Sequence, residues 1–292
     1  MTRSRAFSEG DLQLLLELEQ ELSRSDPATV GHGFGQIAFW SAQLTRDDWE
    51  ARLWFDDEEL AGWGWLSGTE LEAEVRPTRR ELLEEILDWG RPETMIARPD
   101  DADLVARLCA RGLVHDPHAP WWRSNERSLG RVEVPRVPAG YALRTMAEGV
   151  DTESRSACHR AAFHPSRFTD ATYGVVRAAW PYRADLDCVV VAPDGSVAAY
   201  ALAWLDDANA VGELEPVGTH PDHQRRGLGR AVCLFALERL REQGATTALV
   251  ACRGDRADPV ACRLYESIGF REDFRTVTFM RELGSDPGQT RV

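Results

Sequence analysis

The 292-residue chain contains no lysine; all 34 of its basic residues are arginine. Covalent modification of a lysine side chain is thereby excluded as a regulatory step. No apolar run is long enough to cross a bilayer. The N-terminal Met1-Thr2-Arg3-Ser4-Arg5 leads into an acidic amphipathic segment rather than the apolar core of a signal peptide. A soluble, cytoplasmic protein with no membrane partner is expected. The six cysteines (Cys109, Cys158, Cys188, Cys233, Cys252, Cys262) include no CxxC pair and no Cys/His zinc spacing. Reduced, mostly buried thiols are expected, and no metal. The histidines agree: His159 and His164 are wrongly spaced for a helical metal pair, and His220 and His223 lie in a polar turn.

Positive charge is also in deficit. The net charge is −14, and residues 1–135 carry 15 Arg against 27 acids, whereas residues 136–292 carry 19 Arg against 21. So acidic a chain is a poor partner for nucleic acid or an anionic membrane surface. The nearly neutral second part is where an anionic ligand is tolerated.

The length suits two domains. Arg131-Val132-Glu133-Val134-Pro135-Arg136-Val137-Pro138-Ala139-Gly140, with two prolines and a glycine, marks a linker at 131–140 between residues 1–130 and 141–292. Beyond it the pattern predicts a strand at Tyr141–Arg144 and helices at 153–163 and 170–180. Strands at 187–192, 197–205 and 211–219 follow, the first two joined by a Pro193-Asp194-Gly195 turn. Leu228, Ala231, Val232, Phe235, Leu237 and Leu240 then recur at helical spacing up to Gly244. A strand at 247–251, a helix at 259–268 and a strand at 274–280 complete a mixed α/β order, a central twisted sheet flanked by helices.

The first part echoes this order: a hairpin at 57–65, a strand at 70–77, a helix at 80–89, and Arg107-Leu108-Cys109 where the second part has Arg263-Leu264-Tyr265. An internal duplication is expected.

The strand ending at Thr219 runs through His220-Pro221-Asp222-His223 into Gln224-Arg225-Arg226-Gly227-Leu228-Gly229-Arg230, where a helix begins. Unpaired amides and the macrodipole at a helix N-terminus attract anions. The two glycines admit phosphate oxygens close to the main chain, and Arg225, Arg226 and Arg230 add charge. Some 36 residues on lies Leu264-Tyr265-Glu266-Ser267-Ile268-Gly269-Phe270. Together, Q-x-x-G-x-G after a strand ending in His-Pro and L-Y-E-S-I-G-F resemble motifs A and B of the GNAT acyltransferase superfamily, over about residues 140–282.

The resemblance implies acetyl-CoA as donor, its diphosphate on the amides of residues 225–230 and its pantetheine arm along Val217, Gly218 and Thr219. It implies Tyr265 as general acid toward the departing sulfur. Asp258 stands where many relatives carry an asparagine that steadies the donor, though an ionised aspartate cannot donate a hydrogen bond. Glu213 and Glu215, on the strand before the turn, are alternatives for the general base. The helical region 159–168 is expected to border the acceptor site. The expected activity is acetyl transfer to a primary amine of a small molecule, by a monomer or homodimer. A peptide or protein acceptor and a non-enzymatic acetyl-CoA sensor are the competing readings.

The first part has no such turn. Val75-Arg76-Pro77-Thr78-Arg79-Arg80-Glu81 lacks both glycines, and Glu81, Glu84 and Glu85 would repel a diphosphate. Tandem GNAT-like domains are expected, the first degenerate and structural, a layout similar to that of mycothiol synthases.

Overall fold

Hydrophobic alternation in strands and 3.6-residue periodicity in helices generate two similar runs of elements. The computed structural model describes residues 2–25, 31–41, 49–255 and 259–281. The first half contains β1 (Thr2–Ala6), α1 (Leu12–Ser25), α2 (Phe34–Ser41), β2 (Trp49–Asp56), β3 (Glu59–Ser67), β4 (Glu70–Val75), α3 (Leu82–Gly90), β5 (Thr94–Ala97), α4 (Ala102–Ala110), β6 (Leu113–His115) and β7 (Trp122–Ser128). The second contains β8 (Ala142–Thr145), α5 (Thr152–Ala162), α6 (Asp170–Ala178), β9 (Asp187–Val191), β10 (Val197–Asp206), β11 (Val211–Thr219), α7 (Leu228–Glu242), β12 (Thr247–Arg253), α8 (Pro259–Ser267) and β13 (Arg271–Arg281). Local chemistry sets several ends: the Asp151 carboxylate caps α5 by accepting from the amides of Glu153 and Ser154, and Gly244 follows α7 in a left-handed conformation.

All thirteen strands of the described residues join one sheet in the order β1-β2-β3-β4-β5-β13-β7-β12-β11-β10-β9-β8, with β6 also on β13. The order records an exchange. β7, from the first half, lies between β12 and β13 and pairs with both. β13 begins beside β7 at Arg271–Thr276, then continues into the first half, where Val277–Met280 pair with β5 and Phe279–Arg281 with β6. Val277 and Phe279 thus complete the first half's own core with Leu71, Ile86 and Leu108. Neither half holds a complete sheet without a strand from the other.

β10 is buried along its whole length and separates two cores. Ala199, Ala201 and Ala203 turn small side chains toward α7, which brings Val232, Ala236 and Leu240 close. Tyr200, Leu202 and Trp204 point the other way, into a core shared by both halves and containing Leu16, Leu22, Ile37 and Phe39 of α1 and α2 and Trp63 of β3. At its edge Arg155 is tied to Asp187 by a 3.0 Å hydrogen bond, its guanidinium 3.5 Å from the centre of the Tyr200 ring, and Asp187 also accepts from Tyr173 and Tyr182. Truncating Asp187 to alanine strands a buried cation and two hydroxyls. Urea unfolding of Asp187→Ala is expected to show a loss of about 3–5 kcal/mol.

The duplication is visible strand by strand. Glu72 faces Trp65 across the β3–β4 ladder as Glu213 faces Trp204 across β10–β11. In the first half, however, the buried helical position four residues before the closing glycine is Leu108, matching Tyr265 before Gly269. Cys109 is one position further on and exposed. The expected Tyr265–Cys109 correspondence is off by one; the first half has a leucine, and no hydroxyl, at that place.

Candidate active site

The site begins where β11 leaves β12. Their parallel pairing covers only Val211–Glu213 against Thr247–Leu249. Beyond Glu213, β11 bulges: the pairing with β10 shifts between Ala201 and Ala203, at the cis Glu215–Pro216 peptide, so two residues of β11 oppose one of β10. The His220 amide donates to Ala198 O on β10, so alternation turns the main-chain groups of Val217 and Thr219 to the other, open edge. Gly218 points inward, packed so closely that a methyl group there would overlap Tyr200 and Ala162. The open edge fits an extended chain lying alongside.

At the end of that edge Gln224, Arg225, Arg226 and Gly227 are exposed, and α7 starts at Leu228. Arg225 and Gly227 have φ of 59° and 76°. The left-handed Gly227 aims the first amides of α7 outward, away from the packed side chain of Leu228. Gly229 lies against α8, the helix of Tyr265: a methyl there would sit 3.5 Å from Leu264 Cδ2 and 3.1 Å from Thr219 Oγ1. Arg226 donates to the Tyr141 hydroxyl at 3.1 Å, and Arg230 pairs with Glu133. These cations are therefore held in place at the helix start. This constellation of exposed amides, arginines and open strand edge suits a diphosphate bearing an extended arm. Asp258 lies outside the described residues.

Across the sheet opens a cavity of about 770 Å³ between the halves. Glu213 and Glu215 line it from β11, together with Trp204. The first half contributes Trp40, Trp49, Trp65, Glu70, Glu72 and the run Gly31–Phe34. β7 and β13 add Trp122, Glu126 and Asp273. The expected border at 159–168 is not found there. His159 is instead packed 4.0 Å from Phe168, its Nδ1 bonded to the Tyr200 hydroxyl at 2.7 Å, and burial beside Arg155 lowers its pKa to about 3. Of that region only His159 and Phe168 are buried, and Phe168 joins the shared core.

Glu213 accepts a 2.6 Å hydrogen bond from the Gly35 amide. Burial pushes its pKa up to about 7, opposed by the Gly35 and Gln36 amides and by His32. Burial and then the charge of Glu213 push Glu215 up to about 8, opposed by the Trp40 side chain. Tyr265 is buried on α8 with its ring 5.9 Å from Phe270. Burial holds its hydroxyl well above the ordinary tyrosine value, and the nearby Cys233, Glu215 and Cys252 add to this. A carboxyl near neutrality thus lines the cavity, whereas the phenol that stays protonated is not among the cavity's lining residues.

Cys252 and Cys262 are free thiols with sulfurs 2.8 Å apart. Among the described residues no group of three or more His, Cys, Asp or Glu side chains is arranged to hold a metal, and no helix is long and apolar enough to cross a membrane.

One contributor left no motif. His32 places Nε2 at 2.6 Å from Glu72 and Nδ1 at 2.9 Å from Glu74, at the centre of Gly31-His32-Gly33-Phe34-Gly35. Three glycines in five residues were its only sequence signal.

Comparison with known proteins agrees with this geometry. Residues 153–270 match the acetyltransferase (GNAT) family. Over 231 residues the chain is 30% identical to a mycothiol acetyltransferase from Kytococcus sedentarius, covering 74% of this chain and 76% of the relative. It is 29% identical over 235 residues to one from Thermobispora bispora, covering 75% and 79%. In fold it is similar to a tandem GNAT protein from the clavulanic acid biosynthesis pathway, at a TM-score of 0.62 and 18% identity over 96% of this chain and 98% of that one. With both motifs, the splayed strands and these relatives in agreement, the chain belongs to the GNAT acetyltransferase family as an enzyme built of two GNAT-like units.

Proposed function

We propose that the protein transfers the acetyl group of acetyl-CoA to a primary amine of a small polar molecule held in the cavity between the halves. The observation that carries this reading is the cavity itself. It reaches Glu213 on one side of the splayed strands, while the amides of Gly227–Arg230 and the open edge at Val217–Thr219 lie at the other end of the same strand. Acetyl-CoA supplies the activated acyl group. The amides of residues 225–230 hold its diphosphate, with Gln224, Arg225, Arg226 and Arg230 around it, and Val217, Gly218 and Thr219 flank the pantetheine arm. The Val217 N–H lies where a donor to the thioester carbonyl is needed. Glu213 removes the proton from the amine, Tyr265 delivers one to the departing sulfur, and Glu215 holds the amine in the cavity.

Indole faces and carboxylates around the cavity suit a hydroxylated, cationic acceptor. The enclosing walls favour a small molecule over a peptide tail. The relatives' name makes the amine precursor of mycothiol the first acceptor to assay. Residues 1–130 act as wall and support rather than as a second donor site. Where the second half has an exposed glycine turn, the first has Pro77–Arg79, with Arg79 paired to Asp56 and Glu81.

Thiol release from acetyl-CoA with a panel of small amines and basic peptides tests the activity; turnover with peptides alone would overturn the small-molecule assignment. The donor site is tested separately. Gly229→Val fills the space beside Thr219 and Leu264, and is expected to raise the Kd for acetyl-CoA in calorimetry roughly 10- to 100-fold by displacing charge-assisted hydrogen bonds. The far-UV spectrum should stay unchanged. Unaltered affinity would place the diphosphate elsewhere.

A further inference from the structure

We infer that residues Gly31–Gly35 of the first half form a clasp for the base of the second half: His32, fixed between Glu72 and Glu74, holds Gly33 and Gly35 against the Glu213 carboxylate. The inference rests on Glu213 as the base in the proposed reaction, and it gives the first half a defined part in catalysis.

The clasp is anchored from below. Glu74 Oε1 accepts from the Gly31 amide at 2.8 Å, the His32 amide at 3.0 Å and His32 Nδ1 at 2.9 Å. Glu72, two residues away on the same face of β4, takes Nε2 at 2.6 Å. Behind Glu74 lies Glu19 of α1, only 1% exposed, with Oε1 bonded to the Trp63 indole at 2.6 Å. Burial, then the charge of Glu74, keeps Glu19 protonated well above the usual carboxylate range. Burial opposes a charge on His32, but Glu72 and Glu74 overcome it and hold the imidazolium well above histidine's ordinary value. Both ring nitrogens are then donors, and the ring cannot turn without losing a buried charge-assisted bond.

The clasp closes from above. The Gly35 amide donates to Glu213 Oε2, and the Gln36 amide adds to it. Gly33 is so near the same carboxylate that a methyl group on its Cα would overlap Oε1, Oε2 and Cδ of Glu213. Its backbone is not in the left-handed region. Close approach, rather than a special dihedral, therefore explains glycine at this position. Among the described residues, the groups facing Glu213 are Glu215 from β11 itself, His32 from the loop, the two α2 amides, Trp204 from β10 and Leu249 from β12. His32 is the one cation among them. His32, Gly33 and Gly35 are thus positioning residues. They fix the direction of a carboxylate lone pair toward the cavity and offset part of the cost of its charge.

The experiment follows the Glu213 carboxyl directly in the full-length protein. Its carboxylic acid band in pH-difference infrared spectra is identified by its loss in Glu213→Gln. In His32→Gln the midpoint of that band is expected to rise by roughly one pH unit, because a facing cation and an anchored amide are removed. The acid limb of kcat for the best amine should move with it. In Gly33→Ala the nearest collision is with the flexible end of Glu213, so the variant is expected to fold, to raise the same midpoint, and to lower kcat roughly 100-fold with KM for acetyl-CoA unchanged. If His32→Gln does not fold, Gly33→Ala decides. Midpoints that stay put while activity merely declines overturn the clasp. If the wild-type protein acetylates no amine, the proposed reaction fails, while the infrared midpoints still decide whether the clasp exists.

Discussion

Glu213→Gln is expected to lower kcat by roughly 10²- to 10⁴-fold, the usual range for removing a positioned general base. The remaining rate should lack the rise with pH that is expected of the native enzyme around pH 7, where burial places the Glu213 carboxyl. The sign follows from the role: the base works ionised, so activity climbs as pH passes through its pKa. kcat is the proper readout, since kcat/KM also contains the titration of the free amine. Glu215→Gln should act mainly on acceptor KM, because this carboxyl is met by the Trp40 side chain, whereas the Gly35 amide donates to Glu213. A larger kcat effect at Glu215 than at Glu213 would exchange their roles.

The same burial has a thermodynamic consequence. A carboxyl whose folded pKa is raised from 4.5 to about 7 favours the folded state fully only below its unfolded value, and that contribution is lost as pH rises through 7. Keeping Glu213 ionised at pH 8 therefore costs on the order of 3 kcal/mol. Glu213→Gln should be more stable than the native protein at pH 8, and the gain should vanish near pH 4. Higher stability paired with lower activity is the mark of a strained functional group.

Much of the second half was legible because its signals are local. The strand at 211–219, the helix starting inside 224–230 and the stop at Gly244 each depend on periodicity or on a single glycine. Alternation places both glutamates on one face of the strand, and both line the cavity despite the bulge at Glu215–Pro216. What stayed hidden is non-local. Nothing in Trp122–Ser128 or Val277–Arg281 announces that these strands pair with the opposite half, because a strand's pattern encodes which face is buried and not which neighbour it has. The acceptor wall is expected at 159–168 by topology within one domain, whereas the cavity beside Glu213 is lined by residues of 31–41 and 49–72. The contact between Gly35 and Glu213 spans 178 positions, and its one trace in the sequence is the glycine run around His32.

Tyr265→Phe poses the second large test, and the surroundings of this residue make it decisive. The ring packs in the core with Phe270 and Ile268, as an ordinary core aromatic would. The hydroxyl is different: it makes no hydrogen bond among the described residues. Tyr265→Phe breaks no hydrogen bond to a described residue, so urea stability should be unchanged or slightly raised. In the proposed reaction the departing thiol, of ordinary pKa near 8.5, takes up the proton that this hydroxyl carries. Because burial holds the hydroxyl well above its usual range, it stays a proton donor through the whole working range. The native kcat should therefore show no alkaline decline up to about pH 10. We expect Tyr265→Phe to lower kcat roughly 100-fold or more, with KM for acetyl-CoA intact. If the rate survives while stability is unaltered, the departing sulfur is protonated by another group, and the shape of the ring, not its oxygen, is what α8 contributes.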